Sequence, residues 1–179
     1  MPQINVHVGT PDDVDAAVSV YERSNLARRH GDWPSRSSRI AEVRASLLDD
    51  ASWFLIGREG GEAVAMAHIK LFRADGGTGH VIAGTLFLNL IYVLPERWGH
   101  RIGGMMLDAV IEESARRGCH CIYLWTHERQ NERAHRLYRS RRFVQTGGTA
   151  SDDTGKPLGE WLRDSSLRGG RQCDDASVP

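Results

Sequence analysis

The chain has 179 residues, a length that suits one domain with a full hydrophobic core and no need for disulfides or a structural metal. Its 23 Lys and Arg residues balance its 23 Asp and Glu residues, which excludes a bulk electrostatic attraction to nucleic acid or to an acidic membrane surface. The N-terminus is polar and no apolar run is long enough to span a membrane, so we expect a cytoplasmic protein.

The N-terminal half of the chain shows alternating strand and helix patterns. Ile4–Val8 alternates apolar and polar residues and predicts a strand. Thr10 followed by Pro11 is typical of a helix start, and an apolar helical stripe follows it. A second helix and two strands joined by a Gly-Gly turn are predicted next, with these bounds: Ile40–Leu48, Ser52–Arg58 and Ala63–Phe72.

The C-terminal half begins with a long β-rich run that ends at Pro95. An amphipathic helix follows and stops at Gly118. The predicted elements are the strand Val81–Val93, the helix Gly103–Arg117, the strand Cys121–Thr126, the helix Asn131–Ser140, the strand Phe143–Thr146, a loop over Gly147–Gly159 and a last strand over Glu160–Arg163. Residues 165–179 have little to bury and are expected to form a disordered tail.

This order of elements predicts a mixed α/β fold. The strand–helix–strand unit from Val81 to Thr126 requires a parallel crossover, whereas the tight turns elsewhere require antiparallel pairing. We therefore expect a mostly antiparallel sheet with a central parallel unit, helices on both faces, and one domain over residues 1–164. The Cys119 and Cys121 pair lacks a second ligand pair, so no metal site is predicted.

The loop between Pro95 and the helix at Gly103 has the composition of a phosphate site. Glycines let the backbone approach a ligand closely, and a helix N-terminus offers free amides and a positive dipole end. Together they suit a pyrophosphate group. An ordinary strand-to-helix turn would show the same glycines, so this segment alone leaves both interpretations open.

A second segment decides between them. Asn131-Glu-Arg-Ala-His-Arg-Leu-Tyr138, followed by Phe143, comes one strand after the segment Pro95-Glu-Arg-Trp-Gly-His-Arg-Ile-Gly103. With both segments in this order and spacing, the chain resembles the GCN5-related N-acetyltransferase (GNAT) superfamily. The resemblance covers Ile4 to about Arg163 and implies that family's fold.

The resemblance also implies a cofactor and its contacts. Acetyl-CoA would bind with its pyrophosphate on backbone amides of the loop and its pantetheine arm along the end of the preceding strand. The amides are those of Arg101, Ile102, Gly103 and Gly104. The strand end is Ile91, Tyr92 and Val93. Asn131 is expected to hydrogen-bond the cofactor, and Tyr138 to protonate the leaving thiolate as general acid.

Two positions depart from the family pattern. Arg101 and Arg142 both stand where the family usually has glycine. The Arg101 guanidinium would either add a contact to a phosphate or crowd the loop and weaken cofactor binding. The second outcome keeps open a CoA-binding sensor without turnover.

These features predict an N-acetyltransferase that moves an acetyl group to the amine of a small molecule in a direct ternary complex. A protein α-amine or lysine is the alternative acceptor, and a homodimer is left open. The attacking amine must be neutral, so a base or a water chain is needed. Candidates for the base are His68, His80, His127 and Glu128. Candidates for the acceptor pocket are Asp32, Trp33, Asp152 and Asp153.

Overall fold

A computed structural model describes residues 3–28, 37–129, 131–152 and 154–165. In these ranges the chain forms four α-helices and seven β-strands. Their order is β1 (Ile4–Val8), α1 (Val14–Arg28), α2 (Ser37–Leu47), β2 (Ser52–Glu59), β3 (Glu62–Arg73), β4 (Val81–Val93), α3 (Ile102–Arg116), β5 (Cys121–His127), α4 (Glu132–Ser140), β6 (Val144–Ser151) and β7 (Pro157–Asp164). None of the helices in this part of the chain is long and apolar enough to cross a membrane.

The strands form one sheet in the order β1-β2-β3-β4-β5-β7-β6. β4 and β5 are parallel, with a register from Thr85 opposite Cys121 to Phe87 opposite Tyr123. The pairs β1–β2, β5–β7 and β6–β7 are antiparallel. The predicted mixed fold and its parallel strand–helix–strand unit are therefore confirmed.

Two compact units can be distinguished within the chain. The first contains the described residues of 1–69 and 90–112. β1 pairs with β2 from Ile4 opposite Glu59 to Val8 opposite Leu55. Apolar side chains from α1, β2, β3 and α3 form the buried core of this unit. It includes Val18, Ile56, Met66, Ile69, Met106 and Leu107.

The second unit contains residues 70–89 and the described residues from 113 onward. β5 is its central strand, because it pairs with β4 on one side and with β7 on the other. α3 ends here at Arg116, and Gly118 follows it with a φ of 75°, which glycine adopts at little cost. The buried side chains of this unit include Leu86, Ile122, Leu124, Phe143 and Trp161.

The predicted loop over Gly147–Gly159 is wrong in its extent. β6 continues to Ser151, and β7 begins at Pro157, with Ser151 opposite Pro157. β6 is the last strand in the sheet order and most of its residues are exposed, so its Gly, Ser and Thr residues show no apolar alternation. Asp152 Oδ1 accepts hydrogen bonds of 2.9 Å from the amides of Thr154 and Lys156 and stabilises the short connection.

The predicted domain over 1–164 stays a prediction, and β3 and β4 contribute residues to both units. Ser165, the first residue of the predicted tail, donates hydrogen bonds of 2.9 Å to the His120 carbonyl from its amide and its hydroxyl. The rest of that tail, residues 166–179, lies outside the described residues.

Candidate functional site

The Gly-rich loop of the first unit connects β4 to α3 in two steps. A 3-10 turn at Pro95–Arg97 comes first, and the Trp98 amide donates a hydrogen bond of 3.1 Å to the Pro95 carbonyl. Gly99 and Arg101 then adopt positive φ values of 91° and 63°. These left-handed residues turn the chain into α3.

The first turn of α3 leaves backbone amides available. The Arg101 carbonyl accepts hydrogen bonds from the amides of Gly104, at 3.0 Å, and Met105, at 3.2 Å. Within the described part of the chain, the amides of Arg101, Ile102 and Gly103 have no backbone acceptor. The buried Ile102 side chain, 2% exposed, anchors this turn in the core. The result is a group of three amides at the positive end of a helix, which suits an anion.

Two arginines of this loop have different surroundings. Arg97 Nε donates a hydrogen bond of 2.6 Å to Glu59 Oε2, so its charge is already paired. Arg101 is exposed, and no ion pair joins it to any residue in the described ranges. Its guanidinium therefore remains available to a phosphate next to the three amides.

The end of β4 is held by α1 and by the loop itself. The Val93 carbonyl accepts hydrogen bonds from Ser24 Oγ, at 3.1 Å, and Trp98 Nε1, at 2.8 Å. The Tyr92 ring packs edge-on against Tyr21 with a centroid distance of 5.4 Å. Since a carbonyl oxygen has two lone pairs, Val93 can offer a ligand its amide but not its oxygen.

Sequence reasoning missed Ser24 and Trp98. The signal for Trp98 was available, because a tryptophan inside a Gly-rich loop is unusual and its indole donates only one hydrogen bond. Ser24 had no comparable signal, since a serine on an amphipathic helix is ordinarily solvent-facing. Here it is buried, at 1% exposure.

Asn131 precedes α4 in the second unit. Its side-chain Nδ2 donates a hydrogen bond of 2.6 Å to Oγ1 of Thr126, a buried residue at the end of β5. Its carbonyl accepts the His135 amide at 3.0 Å. The side-chain oxygen makes no helix-capping bond. A ligand donor could therefore reach Asn131 through Oδ1 while Nδ2 stays bound to Thr126.

Tyr138 lies two turns further along α4 and is only 5% exposed. Its ring packs against Phe143 and Trp161 with centroid distances of 5.8 and 5.9 Å. Its carbonyl accepts the Phe143 amide at 3.1 Å, which fixes the connection from α4 to β6. The side chain thus has one defined environment, as a group that must meet a reacting atom requires.

The four candidate bases have different environments. His68 is fully buried in β3, while His80 and Glu128 are exposed. His127 is half-buried, and its Nε2 lies 2.9 Å from Asp152 Oδ2. Asp152, a candidate for the acceptor pocket, is thus hydrogen-bonded to a histidine. The other three candidates for that pocket, Asp32, Trp33 and Asp153, lie outside the described residues.

The predicted site residues therefore form one group in each unit. The first group contains the strand end and the loop: Ile91, Tyr92, Val93, Arg101, Ile102, Gly103 and Gly104. The second contains Asn131 and Tyr138, with Thr126 as a neighbour of Asn131 that the sequence did not connect to it.

Comparison with known proteins agrees with the family resemblance seen in the sequence. The family described as acetyltransferase (GNAT) family matches residues 11–143. No curated protein matches the sequence. The ribosomal-protein-S18-alanine N-acetyltransferase of Escherichia coli has a similar structure, with a TM-score of 0.72, 18% identity, and coverage of 95% of this chain and 99% of that chain.

Two further similar structures were solved with a cofactor. The yncA protein of Salmonella typhimurium, with acetyl-CoA, has a TM-score of 0.67, 22% identity, and coverage of 90% of this chain and 94% of its own. The PaiA N-acetyltransferase of Thermoplasma acidophilum, with coenzyme A, has a TM-score of 0.64, 17% identity, and coverage of 88% and 98%. At these identities the likeness shows the fold.

The family match spans most of the chain, so the protein belongs to the GNAT family of acetyltransferases. It is an acetyltransferase, and acetyl-CoA is its acyl donor.

Proposed function

We propose that this GNAT acetyltransferase transfers the acetyl group of acetyl-CoA to the amine of a small molecule within one ternary complex. The observation that carries the acetyl-CoA part of the proposal is the start of α3, where the amides of Arg101, Ile102 and Gly103 have no backbone acceptor and the Arg101 guanidinium has no ion pair in the described part of the chain. A pyrophosphate supplies the negative charge and acceptor atoms that this arrangement lacks.

The strand end and Asn131 are assigned to the rest of the cofactor. The backbone of Ile91 and Tyr92 and the amide of Val93 pair with the pantetheine arm as an added strand. The two bonds to the Val93 carbonyl, from Ser24 and Trp98, keep this strand end in place before the cofactor arrives. Asn131 accepts a hydrogen bond from the cofactor through Oδ1.

Tyr138 is assigned the role of general acid. Attack of the amine on the thioester gives a tetrahedral oxyanion, which a backbone amide near Leu90 or Ile91 stabilises. Its collapse releases the CoA thiolate. A phenol, with a pKa of about 10, can protonate this sulfur as charge develops on it.

The acceptor is assigned to the class of small amines. Asp32 and Trp33 stand in the segment between α1 and α2, and an acidic group beside an aromatic ring suits a cationic amine. A protein α-amine or a lysine side chain is the alternative acceptor of the same chemistry.

A panel of acceptors tests the proposal. Release of free CoA thiol from acetyl-CoA is measured with polyamines, amino acids, aminoglycosides, short peptides with free N-termini, and a lysine peptide with a blocked N-terminus. Turnover above the rate without enzyme on a small amine supports the proposal, whereas turnover on peptides alone would replace it with protein acetylation. Saturable binding of acetyl-CoA without turnover on any acceptor would instead indicate a sensor.

A further inference from the structure

The sheet of the second unit has a face that the proposed roles do not use. The register of β5 with β7 places Trp125 directly opposite Glu160. Burial alternates along both strands, since Leu124 and Trp161 are buried whereas Trp125 and Glu160 are half-buried. Successive residues of a strand point to opposite faces of a sheet. Trp125 and Glu160 therefore share the face away from Trp161 and the rings of α4 that pack on it.

Glu160 lies among apolar side chains on this face. Leu158 and Leu162 stand on either side of it along β7, and both are half-buried. Trp125 faces it from β5. Residues directly opposite each other in an antiparallel pair have Cβ atoms roughly 5 Å apart, so the indole and the carboxylate are immediate neighbours.

A bulge in β6 holds the Glu160 carboxylate. The register of β6 with β7 shifts in the middle of the strand, so that residues 146–148 all lie opposite Glu160. The Thr146 hydroxyl donates a hydrogen bond to Glu160 Oε2, and the Gly148 amide donates one of 3.2 Å to Thr146 Oγ1. A Cβ atom on Gly148 would lie only 2.9 Å from Glu160 Oε2. The bulge and its glycine thus fix the position of the carboxylate, as bulges beside functional sites commonly do.

The charge of Glu160 has no cationic partner in the described ranges. No ion pair includes it there, and its second oxygen, Oε1, accepts no hydrogen bond from those residues. Arg163, the arginine of β7, lies on the other face, where its Nε donates a hydrogen bond of 3.1 Å to the Arg141 carbonyl. The next side chain of β5 on this face, His127, is bonded to Asp152. A half-buried carboxylate beside an indole is complementary to an organic cation.

We propose that Trp125 and Glu160 bind a cationic group of the acceptor, which is therefore an amine with a second positive charge, of the diamine or polyamine class. This inference rests on the proposed function and names the class of its acceptor. The reacting nitrogen must be neutral when it attacks the thioester. The charge that Glu160 recognises thus belongs to a second group, which stays cationic throughout the reaction while the indole face adds a cation–π contact.

One edge of β5 allows this face to serve the reaction. The register of β4 with β5 ends at Phe87 opposite Tyr123. Within the described residues of this unit, the last part of β5, residues 124–127, pairs with β7 alone. An acceptor on the face of Trp125 and the phenol of Tyr138 on the other face can therefore act on one thioester that lies along this edge.

Three amines with one carbon chain test the class of acceptor. Cadaverine has a second amine, aminopentanol has a hydroxyl in its place, and pentylamine has neither. Thiol release from acetyl-CoA is measured with each. We expect kcat/KM for cadaverine to exceed that for pentylamine by roughly 10²-fold, the scale of a charge-assisted hydrogen bond with a cation–π contact. Aminopentanol should resemble pentylamine.

Four variants locate the recognition. Glu160→Gln should lower kcat/KM for cadaverine by roughly 10- to 10²-fold, mostly through KM, and leave pentylamine unchanged. Trp125→Leu should lower it roughly tenfold. Gly148→Ala keeps the charge but displaces the carboxylate, so it should act in the same direction. Glu112→Gln, at an exposed acid of α3, is the matched control and should change neither substrate.

The outcomes separate the acceptor class from the proposed function. Equal kcat/KM for cadaverine and pentylamine, or a value for Glu160→Gln on cadaverine within twofold of wild type, would overturn the acceptor class and leave the proposed function intact. If wild type acetylates no amine, calorimetry with cadaverine in the presence of CoA decides. Binding that Glu160→Gln weakens would support the site and overturn the proposed function, and no binding would overturn both. Thermal melting and acetyl-CoA binding confirm that each variant is folded.

Discussion

Arg101 and Arg142 share a left-handed backbone conformation, with φ of 63° and 65°. In this region the Cβ atom of an L-residue lies close to its own following carbonyl, at a cost of roughly 1–2 kcal/mol that glycine does not incur. These are the two positions at which the family pattern predicts glycine. Both positions therefore keep a backbone conformation that glycine adopts at little cost, and the strain falls on two arginines.

Replacement of Arg101 by glycine should have opposite effects on stability and binding. Relief of the strain, offset by the greater flexibility of glycine when unfolded, should raise the free energy of unfolding by up to about 1 kcal/mol. Loss of the guanidinium should weaken acetyl-CoA binding roughly tenfold, which corresponds to about 1.4 kcal/mol for one charge-assisted hydrogen bond. Chemical denaturation and calorimetry measure the two quantities.

Two matched variants separate these effects. Arg101→Ala removes the guanidinium but keeps a Cβ atom, so it should weaken binding without the gain in stability. Arg142→Gly relieves the same strain between α4 and β6 and should leave acetyl-CoA affinity unchanged. Tighter binding by Arg101→Gly would show that the side chain crowds the loop and would contradict its assignment to a phosphate.

Tyr138→Phe removes only the hydroxyl from a ring that Phe143 and Trp161 hold in place. If the hydroxyl protonates the leaving thiolate, kcat should fall by roughly 10²-fold or more. Acetyl-CoA affinity should change little, because the proton is needed only as charge develops on sulfur. Steady-state kinetics and acetyl-CoA titration measure both, and a kcat within about twofold of wild type would assign Tyr138 to packing alone.

The hydrogen bond between Asn131 and Thr126 allows a structural role to be separated from a binding role. Thr126→Val and Asn131→Ala each remove this 2.6 Å bond and should each destabilise the fold by about 1 kcal/mol. Only Asn131→Ala also removes Oδ1, so only this variant should weaken acetyl-CoA binding several-fold. Equal affinities of the two variants would show that Asn131 serves the end of β5 and not the cofactor.

The lowered pKa of Asp13 should make the free energy of unfolding decrease at acidic pH. The hydrogen bond from Arg58, at 2.6 Å, together with the amide and hydroxyl of Thr10, lowers the pKa of Asp13 from 3.8 to about 2. Because the folded pKa is the lower one, the stabilisation is complete above pH 4–5 and is lost as pH falls toward 2.

The free energy of unfolding is expected to decrease by about 2 kcal/mol as Asp13 is protonated, since one pKa unit corresponds to about 1.4 kcal/mol. Denaturation of wild type and Asp13→Asn at a series of pH values measures it. The variant should be less stable at neutral pH and should show a weaker decline below pH 4. Parallel curves for the two proteins would contradict this assignment.

Most of the fold could be predicted from the sequence, because most helices and strands have a clear periodicity of apolar residues or a residue that ends the element. The apolar run of β4 and the stripe of α3 ended by Gly118 are examples. β6 was only partly predicted, because an exposed edge strand buries nothing and its Gly, Ser and Thr residues resemble a loop.

The candidate site was less predictable than the fold. The two segments that resemble the family indicated Arg101 and Tyr138. The positive φ of Arg101 and the packing of the Tyr138 ring could not be predicted from those segments. The contacts between Ser24 and Val93 and between His127 and Asp152 join residues 69 and 25 positions apart. Sequence periodicity reports on neighbours within one element, so contacts of this kind come only from the fold.

Transfer of labelled acetyl from acetyl-CoA tests the central claim most directly. Protein, acetyl-labelled acetyl-CoA and the best acceptor are incubated, and mass spectrometry follows the acceptor and the intact protein while thiol release is recorded. The account predicts label on the acceptor amine, an equal amount of CoA thiol and no labelled enzyme intermediate, as a direct ternary-complex mechanism requires. Label retained on the protein as an intermediate, or no transfer to any amine above the rate without enzyme, would contradict it.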